Sequence, residues 1–153
     1  KYFRLFPGNE VRLRGAYFVN CVGYDTDENG EVTAVHCTYD PESKGGNSPD
    51  GRKVKGTLHW VSAKNCIDFE ARLYDRLFNN PNPSDESNGS FKDNLNPDSL
   101  TILEGCKLED GIENLKVGDT FQFMRQGYFC IDTTSTDSKI VFNRTVDLKS
   151  SWK

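Results

Sequence analysis

One methionine, two histidines and no long apolar run are what this 153-residue sequence offers where many enzymes and membrane proteins have more. A membrane-spanning helix needs roughly 18 or more consecutive apolar residues, and no such stretch exists. No charged n-region followed by an apolar h-region opens the chain, so nothing points to secretion, and a soluble, cytoplasmic protein is expected. Catalytic signatures are missing too. There is no G-x-x-x-x-G-K-[ST] loop, no glycine-rich dinucleotide fingerprint and no H-E-x-x-H pair. His36 and His59 are followed by Cys37 and Trp60 and fit none of these patterns. His59 alternates with Thr57 and Val61, which reads as a packed or hydrogen-bonded structural histidine. Glu70 and Asp75 could form an acid and base pair, but Arg72 and Arg76 stand beside them, and simple ion pairing is the better reading.

The five cysteines, at 21, 37, 66, 106 and 130, are odd in number, widely spaced and free of any C-x-x-C pair. That usage fits reduced, mostly buried thiols and no metal site. Asn88-Gly89-Ser90 and Asn143-Arg144-Thr145 match the glycosylation sequon, which without an export signal is coincidence. The chain opens at Lys1 without a methionine and is expected to be a fragment of something longer.

What the sequence does have is β pattern. Aromatic residues make up 12% of the chain. Val11 to Val22 alternates around aromatic and β-branched residues, and Glu31 to Tyr39 does the same after the turn Asp27-Glu28-Asn29-Gly30, which predicts a hairpin. Val54 to Val61, Phe69 to Phe78, Ser99 to Leu103, Thr120 to Ile131 and Ile140 to Leu148 complete the strand candidates. Phe69, Leu73 and Leu77 also recur every four residues, so that run taken alone allows a helix. Many short strands at regular spacing predict an all-β barrel or sandwich. Three polar stretches interrupt them: 41–51, 79–96 and 133–138. The second is long enough to be a mobile surface loop or a linker.

Net charge is −4, against the basic balance usual in nucleic-acid binders. Its distribution is uneven. Lys1, Arg4, Arg12 and Arg14 face only Glu10 in the first fourteen residues, and Arg52, Lys53 and Lys55 form a second basic cluster, the candidate phosphate contacts. Glu104, Glu109, Asp110, Glu113 and Asp119 concentrate the acid elsewhere. On a strand Arg12 and Arg14 project from one face while Val11 and Leu13 point into the core. Paired guanidinium groups bind base edges or phosphates bidentately and stack on unpaired bases. Tyr2 and Phe3 supply rings nearby. Gln122 and Arg125, in FQFMRQG, would face opposite ways on a regular strand, so joint action requires a turn or bulge before Gly127. Glutamine's donor and acceptor suit the edge of a pyrimidine.

The segment DGRKVKGTLHWVS at 50–62, with LYDRLF at 73–78, FQF at 121–123, GYFC at 127–130 and VFNRTV at 141–146, resembles the C-terminal anticodon-binding region of glutaminyl-tRNA synthetase, from the first residue to the last. The resemblance implies two adjoining small β-barrels, of the type also found in a ribosomal 5S RNA-binding protein. The first barrel, with 1–45 as part of it, would be truncated at its N-terminus; the second would span 52–132, with 139–153 returning to the barrels, and Phe69 to Phe78 would be a strand. Alignment of KYFRLFPGNEVRLR puts Arg4 at the position that contacts the third anticodon base, and Arg12 and Arg14 around the first. Gln122 and Arg125 match two residues that read the central uridine; the family's further arginine for that uridine falls upstream of Lys1. Phe3 stands where the bacterial pattern has lysine, and Met124 where it has glutamate. The resemblance implies that the chain only binds, with the tRNA(Gln) anticodon loop as partner, while ATP and magnesium serve a Rossmann-type catalytic domain N-terminal to it, in an enzyme expected to be a monomer. Competing readings are the eukaryotic or archaeal type of glutamyl-tRNA synthetase, a protein-binding β-barrel adaptor using residues 104–119, and a 5S RNA-binding barrel.

Overall fold

The computed structural model describes residues 4–148 apart from 46, 86, 88 and 113. Among them there is no α-helix, only strands and short 3-10 turns, so no helix is long and apolar enough to cross a membrane. The chain divides between Trp60 and Val61 into two compact units, each built on one sheet. The predicted all-β architecture is therefore present as two sheets, and among the described residues no pairing closes either of them into a ring.

The first unit has the strand order β3-β2-β1-β4, with β1 at Glu10–Leu13, β2 at Phe18–Thr26, β3 at Val32–Asp40 and β4 at Thr57–Leu58. Val11 to Val22, read from the sequence as one strand, is a hairpin. The Leu13 carbonyl accepts from Ala16 N at 3.0 Å, and Gly15 takes a φ of 69°, which a glycine adopts without steric cost. The hairpin predicted from Asp27-Glu28-Asn29-Gly30 joins β2 to β3, with Asp27 Oδ1 accepting from Asn29 N and Glu31 N at 2.9 Å each. Val54 to Val61 pairs far less than its alternation suggests: only Thr57 and Leu58 form a strand, in parallel register with Arg12 and Leu13, through Arg12 N–H donating to the Gly56 carbonyl and Arg14 N–H to the Leu58 carbonyl at 3.0 Å each. Val11 and Phe18 are fully buried on the two faces of the sheet, and the buried Ser43 ties the start of β2 down by accepting from Phe18 N at 2.8 Å while donating to the Asp40 carbonyl at 2.6 Å. Of the cysteines, Cys21 is buried, whereas Cys37 on β3 is exposed, contrary to the sequence reading of mostly buried thiols.

The second unit has the order β6-β5-β9-β8-β7, with β5 at Cys66–Tyr74, β6 at Leu100–Glu109, β7 at Thr120–Phe123, β8 at Gly127–Ile131 and β9 at Ile140–Val146. The run Phe69 to Phe78 is a strand only as far as Tyr74, and β6 runs six residues past the predicted Leu103 because Cys106 and Leu108 face the core. That core is aromatic. Phe142, fully buried, meets Phe69, Phe121 and Phe123 edge-on at centroid distances of 5.3, 6.0 and 5.0 Å, and Phe123 stacks on Phe129 at 4.4 Å. Edge-on and offset rings are the favoured geometries, adding about 0.5–1.5 kcal/mol per pair beyond area burial. The long stretch 79–96 is not a linker: Phe78 bridges Leu95, Asn79 N donates to the Asn94 carbonyl at 2.9 Å, and a Ser90–Asp93 capping box starts a 3-10 turn at Phe91–Asn94.

Candidate nucleic-acid interface

In the first unit the arginines follow from strand geometry. Arg12 lies opposite Phe18 in the β1–β2 register, its side chain on the face away from Val11, and its guanidinium sits 5.1 Å from the Phe18 ring centre. It is half-buried, its Nε is buried without an acceptor, and it has no ion-pair partner among the described residues. Arg14 is exposed just past the end of β1, its N–H donating to the Leu58 carbonyl at 3.0 Å. Its own carbonyl accepts from the Trp60 indole at 3.0 Å, so the tryptophan of the 50–62 segment pins the β1–β2 turn. Arg4 is exposed ahead of the turn at 6–9; Lys1, Tyr2 and Phe3 lie outside the described residues.

The basic segment after residue 50 behaves unevenly. All three guanidinium nitrogens of Arg52 are taken: Nε donates to Glu10 at 3.0 Å, Nη2 to Glu10 at 2.9 Å and Asp40 at 2.5 Å, and Nη1 to Asp50 at 2.6 Å and Ser48 at 2.7 Å. These acceptors hold the Arg52 proton well above its ordinary range, and the Ser48 hydroxyl, with the Arg52 contacts, holds the Asp50 carboxyl at about 2. Lys53 and Lys55 are exposed and carry no ion pair among the described residues. They line an open cleft of about 450 Å³ with Phe6, Asn9, Glu10, Arg52 and Val54, and the Asn9 side-chain oxygen is buried there without a donor.

In the second unit Thr120 to Ile131, read as one strand, is a β7–β8 hairpin. The turn that joint action of Gln122 and Arg125 requires is there: Phe123 pairs with Gly127, leaving Met124, Arg125 and Gln126 as the loop. Arg125 occupies its apex with φ 64°, an uncommon conformation for a side chain of that size. Gly127 is needed behind it, since a Cβ there would stand 2.5 Å from the Val146 carbonyl oxygen. Gln122 is exposed on the face opposite the core-directed Phe121 and Phe123, directly across from Tyr128, which is 40% exposed. Tyr128 was not singled out by sequence reasoning; once the three-residue loop is known, the register places it beside Gln122.

Glu70 and Asp75, the two carboxylates with the makings of an acid and base pair, are both engaged. Buried Glu70 accepts from Lys139 at 2.7 Å and Arg72 at 2.8 Å, and both contacts hold its carboxyl below the usual range. Asp75 accepts from the Arg76 backbone N–H at 2.7 Å. Asp132 accepts from Thr134 and Asn143 and faces Arg72 at 3.4 Å; the Thr134 and Asn143 hydrogen bonds are the main reason its carboxyl sits at about 2. His59, read as a packed or hydrogen-bonded strand histidine, is exposed beyond the end of β4 and so is not packed, and His36 meets Asp25 at 2.7 Å on the surface.

An exposed arginine and glutamine on a tight hairpin offer hydrogen-bond donors and an acceptor of the kind that bind nucleic acid. Models of the tRNA synthetases class I (E and Q) anti-codon binding domain match residues 2–40 and 57–132. Glutamine–tRNA ligases of Clostridium perfringens, Clostridioides difficile and Bradyrhizobium diazoefficiens are 55%, 53% and 51% identical over 155, 154 and 152 residues, covering 100%, 100% and 99% of this chain. The chain spans 27–28% of the length of those curated relatives. It belongs to the anticodon-binding domain family of the class I tRNA synthetases for glutamate and glutamine, on the glutamine side of that family.

Proposed function

We propose that this chain reads the anticodon of tRNA(Gln) for a cytoplasmic, monomeric glutamine–tRNA ligase, and contributes recognition rather than chemistry. In this reading a Rossmann-type domain elsewhere in the same polypeptide uses ATP and magnesium to attach glutamine. The observation that carries the recognition role is the β7–β8 hairpin. It holds Arg125 in an uncommon left-handed conformation at an exposed apex, at the end of the strand that carries exposed Gln122 opposite Tyr128.

Unpaired anticodon bases can be splayed out, stacked and read on their Watson–Crick edges. Gln122 offers a donor and an acceptor, matching the alternation on a uridine edge, while Arg125 supplies two donors to a carbonyl or phosphate; together they take the central base. Tyr128 gives a ring on which that base stacks. In the other unit Arg12 and Arg14 bind the first base and Arg4 the third, with Lys53 and Lys55 drawing in the backbone phosphates. Arg52, filled by carboxylates, takes no direct part. Equilibrium binding of a panel of glutamine tRNAs with single anticodon substitutions tests the assignment. Changes at the central base should weaken binding at least tenfold, and equal affinity for every anticodon would refute it.

A further inference from the structure

We propose that Arg52 is a positioning residue that holds the carboxylates of Glu10 and Asp40 away from Arg12, keeping the Arg12 guanidinium open to an anionic RNA ligand. The inference rests on the reading of Arg12 as an RNA contact. Glu10 and Arg12 are two residues apart on β1, so their side chains share a face with Cβ atoms about 7 Å apart, within pairing reach of a glutamate and an arginine. They do not pair. Glu10 instead gives both oxygens to Arg52, at 2.9 and 3.0 Å, and Asp40 gives one at 2.5 Å.

Arg52 works at close quarters with the group it shields. Its guanidinium lies 5.2 Å from the Phe18 ring centre, and that of Arg12 lies 5.1 Å from the same ring. Arg12 is thus seated on an aromatic ring with its Nε buried and unbonded, a donor that any freed carboxylate nearby would capture. Three carboxylates around one arginine exceed its charge, so removing Arg52 would leave Glu10, Asp40 and Asp50 repelling one another. Arg12 is the other cation beside the Phe18 ring. Once paired, it would have to give up a carboxylate to accept a phosphate or a base edge. Arg52 is itself too committed to serve as that contact, because each of its nitrogens already donates.

The test compares affinity for glutamine tRNA, and its salt dependence, in the full-length polypeptide carrying Arg12→Ala, Arg52→Gln, Arg52→Lys, and Arg52→Gln combined with Glu10→Gln and Asp40→Asn. Arg52→Gln should weaken binding about tenfold and lower the salt slope by about one, as Arg12→Ala does, because one positive charge open to the RNA is lost in each case. Neutralising Glu10 and Asp40 in the Arg52→Gln background should restore both affinity and slope. Arg52→Lys, which keeps a cation among the carboxylates, should stay within about twofold of the parent and covers the case where Arg52→Gln does not fold. The proposal is overturned if Arg52→Gln loses affinity that the carboxylate substitutions fail to restore, if Arg52→Lys weakens binding as much as Arg12→Ala does, either of which would mark a direct RNA contact, or if Arg52→Gln binds normally. If Arg12→Ala binds normally, the reading of Arg12 fails first and the proposal falls with it.

Discussion

Replacing Asp132 by asparagine should make the second unit both weaker and less sensitive to acid. The Asp132 carboxylate accepts from the Thr134 backbone N–H at 2.8 Å and its hydroxyl at 2.6 Å, takes a third hydrogen bond from the Asn143 amide, and faces the Arg72 guanidinium at 3.4 Å. Its carboxyl is held at about 2 against an ordinary 3.8. Because the folded value is the lower one, the stabilisation is fully present above the unfolded value near 4 and is lost as pH falls toward 2. That difference corresponds to about 2 kcal/mol. Asparagine can still accept the two Thr134 bonds through its oxygen, but its NH2 would face the Asn143 amide, donor against donor, and the attraction to Arg72 disappears. Hydrogen exchange at the amides of β8 and β9 reports the second unit alone. At pH 7 their protection should fall by about 1–3 kcal/mol in the variant. Between pH 5 and 2 the wild type should lose protection steeply, and the variant should follow a visibly shallower line. Parallel acid profiles for the two proteins would refute the reasoning, since the Asp132 contacts could not then be a source of the acid sensitivity.

Gly127→Ala should destabilise the second unit by about 2–3 kcal/mol in denaturant unfolding, because the added methyl meets a backbone carbonyl at 2.5 Å that no rotamer change can clear. Phe142→Ala removes the fully buried ring at the centre of the aromatic cluster and should cost about 3–5 kcal/mol by the same measurement. Arg125→Gly relieves a φ of 64° and should lower tRNA binding by at least tenfold while moving the melting temperature by only a few degrees. Replacing Lys53 and Lys55 together by alanine should weaken every tRNA alike and lower the salt slope by up to two.

Strand periodicity is legible in the sequence wherever one face of a strand is buried and the other is not. Val11 against Arg12, and Phe121 and Phe123 against Gln122, stand out as alternation from residue types alone. Turns without their usual residues do not. Met124-Arg125-Gln126 contains no glycine, asparagine or proline, so Thr120 to Ile131 reads as one strand; the reversal is carried by an arginine in a left-handed conformation and by Gly127 after it. Gly15 does mark the β1–β2 turn, but the flanking alternation outweighs it. Val54 to Val61 has the right pattern, yet Gly56 at φ 95° confines its pairing to two residues. The Arg52 cluster is illegible for a different reason. Asp50 is its near neighbour, but Glu10 and Asp40 lie 42 and 12 residues away and are placed by the sheet, Glu10 on β1 across from Asn20 and Asp40 at the end of β3 across from Phe18. A run reading Arg-Lys-Lys with one spacer thus contains one cation engaged by the fold and two exposed ones.

The central claim is that separate arginines read separate anticodon positions. It is tested most directly by equilibrium binding of cognate and single-base anticodon variants of glutamine tRNA to full-length protein carrying Arg14→Ala or Arg125→Ala. Each substitution should cost about 1–3 kcal/mol with the cognate tRNA and erase discrimination at one base only, the first for Arg14 and the central one for Arg125. Loss of affinity by the same factor for every tRNA, with discrimination at all three positions intact, would contradict it.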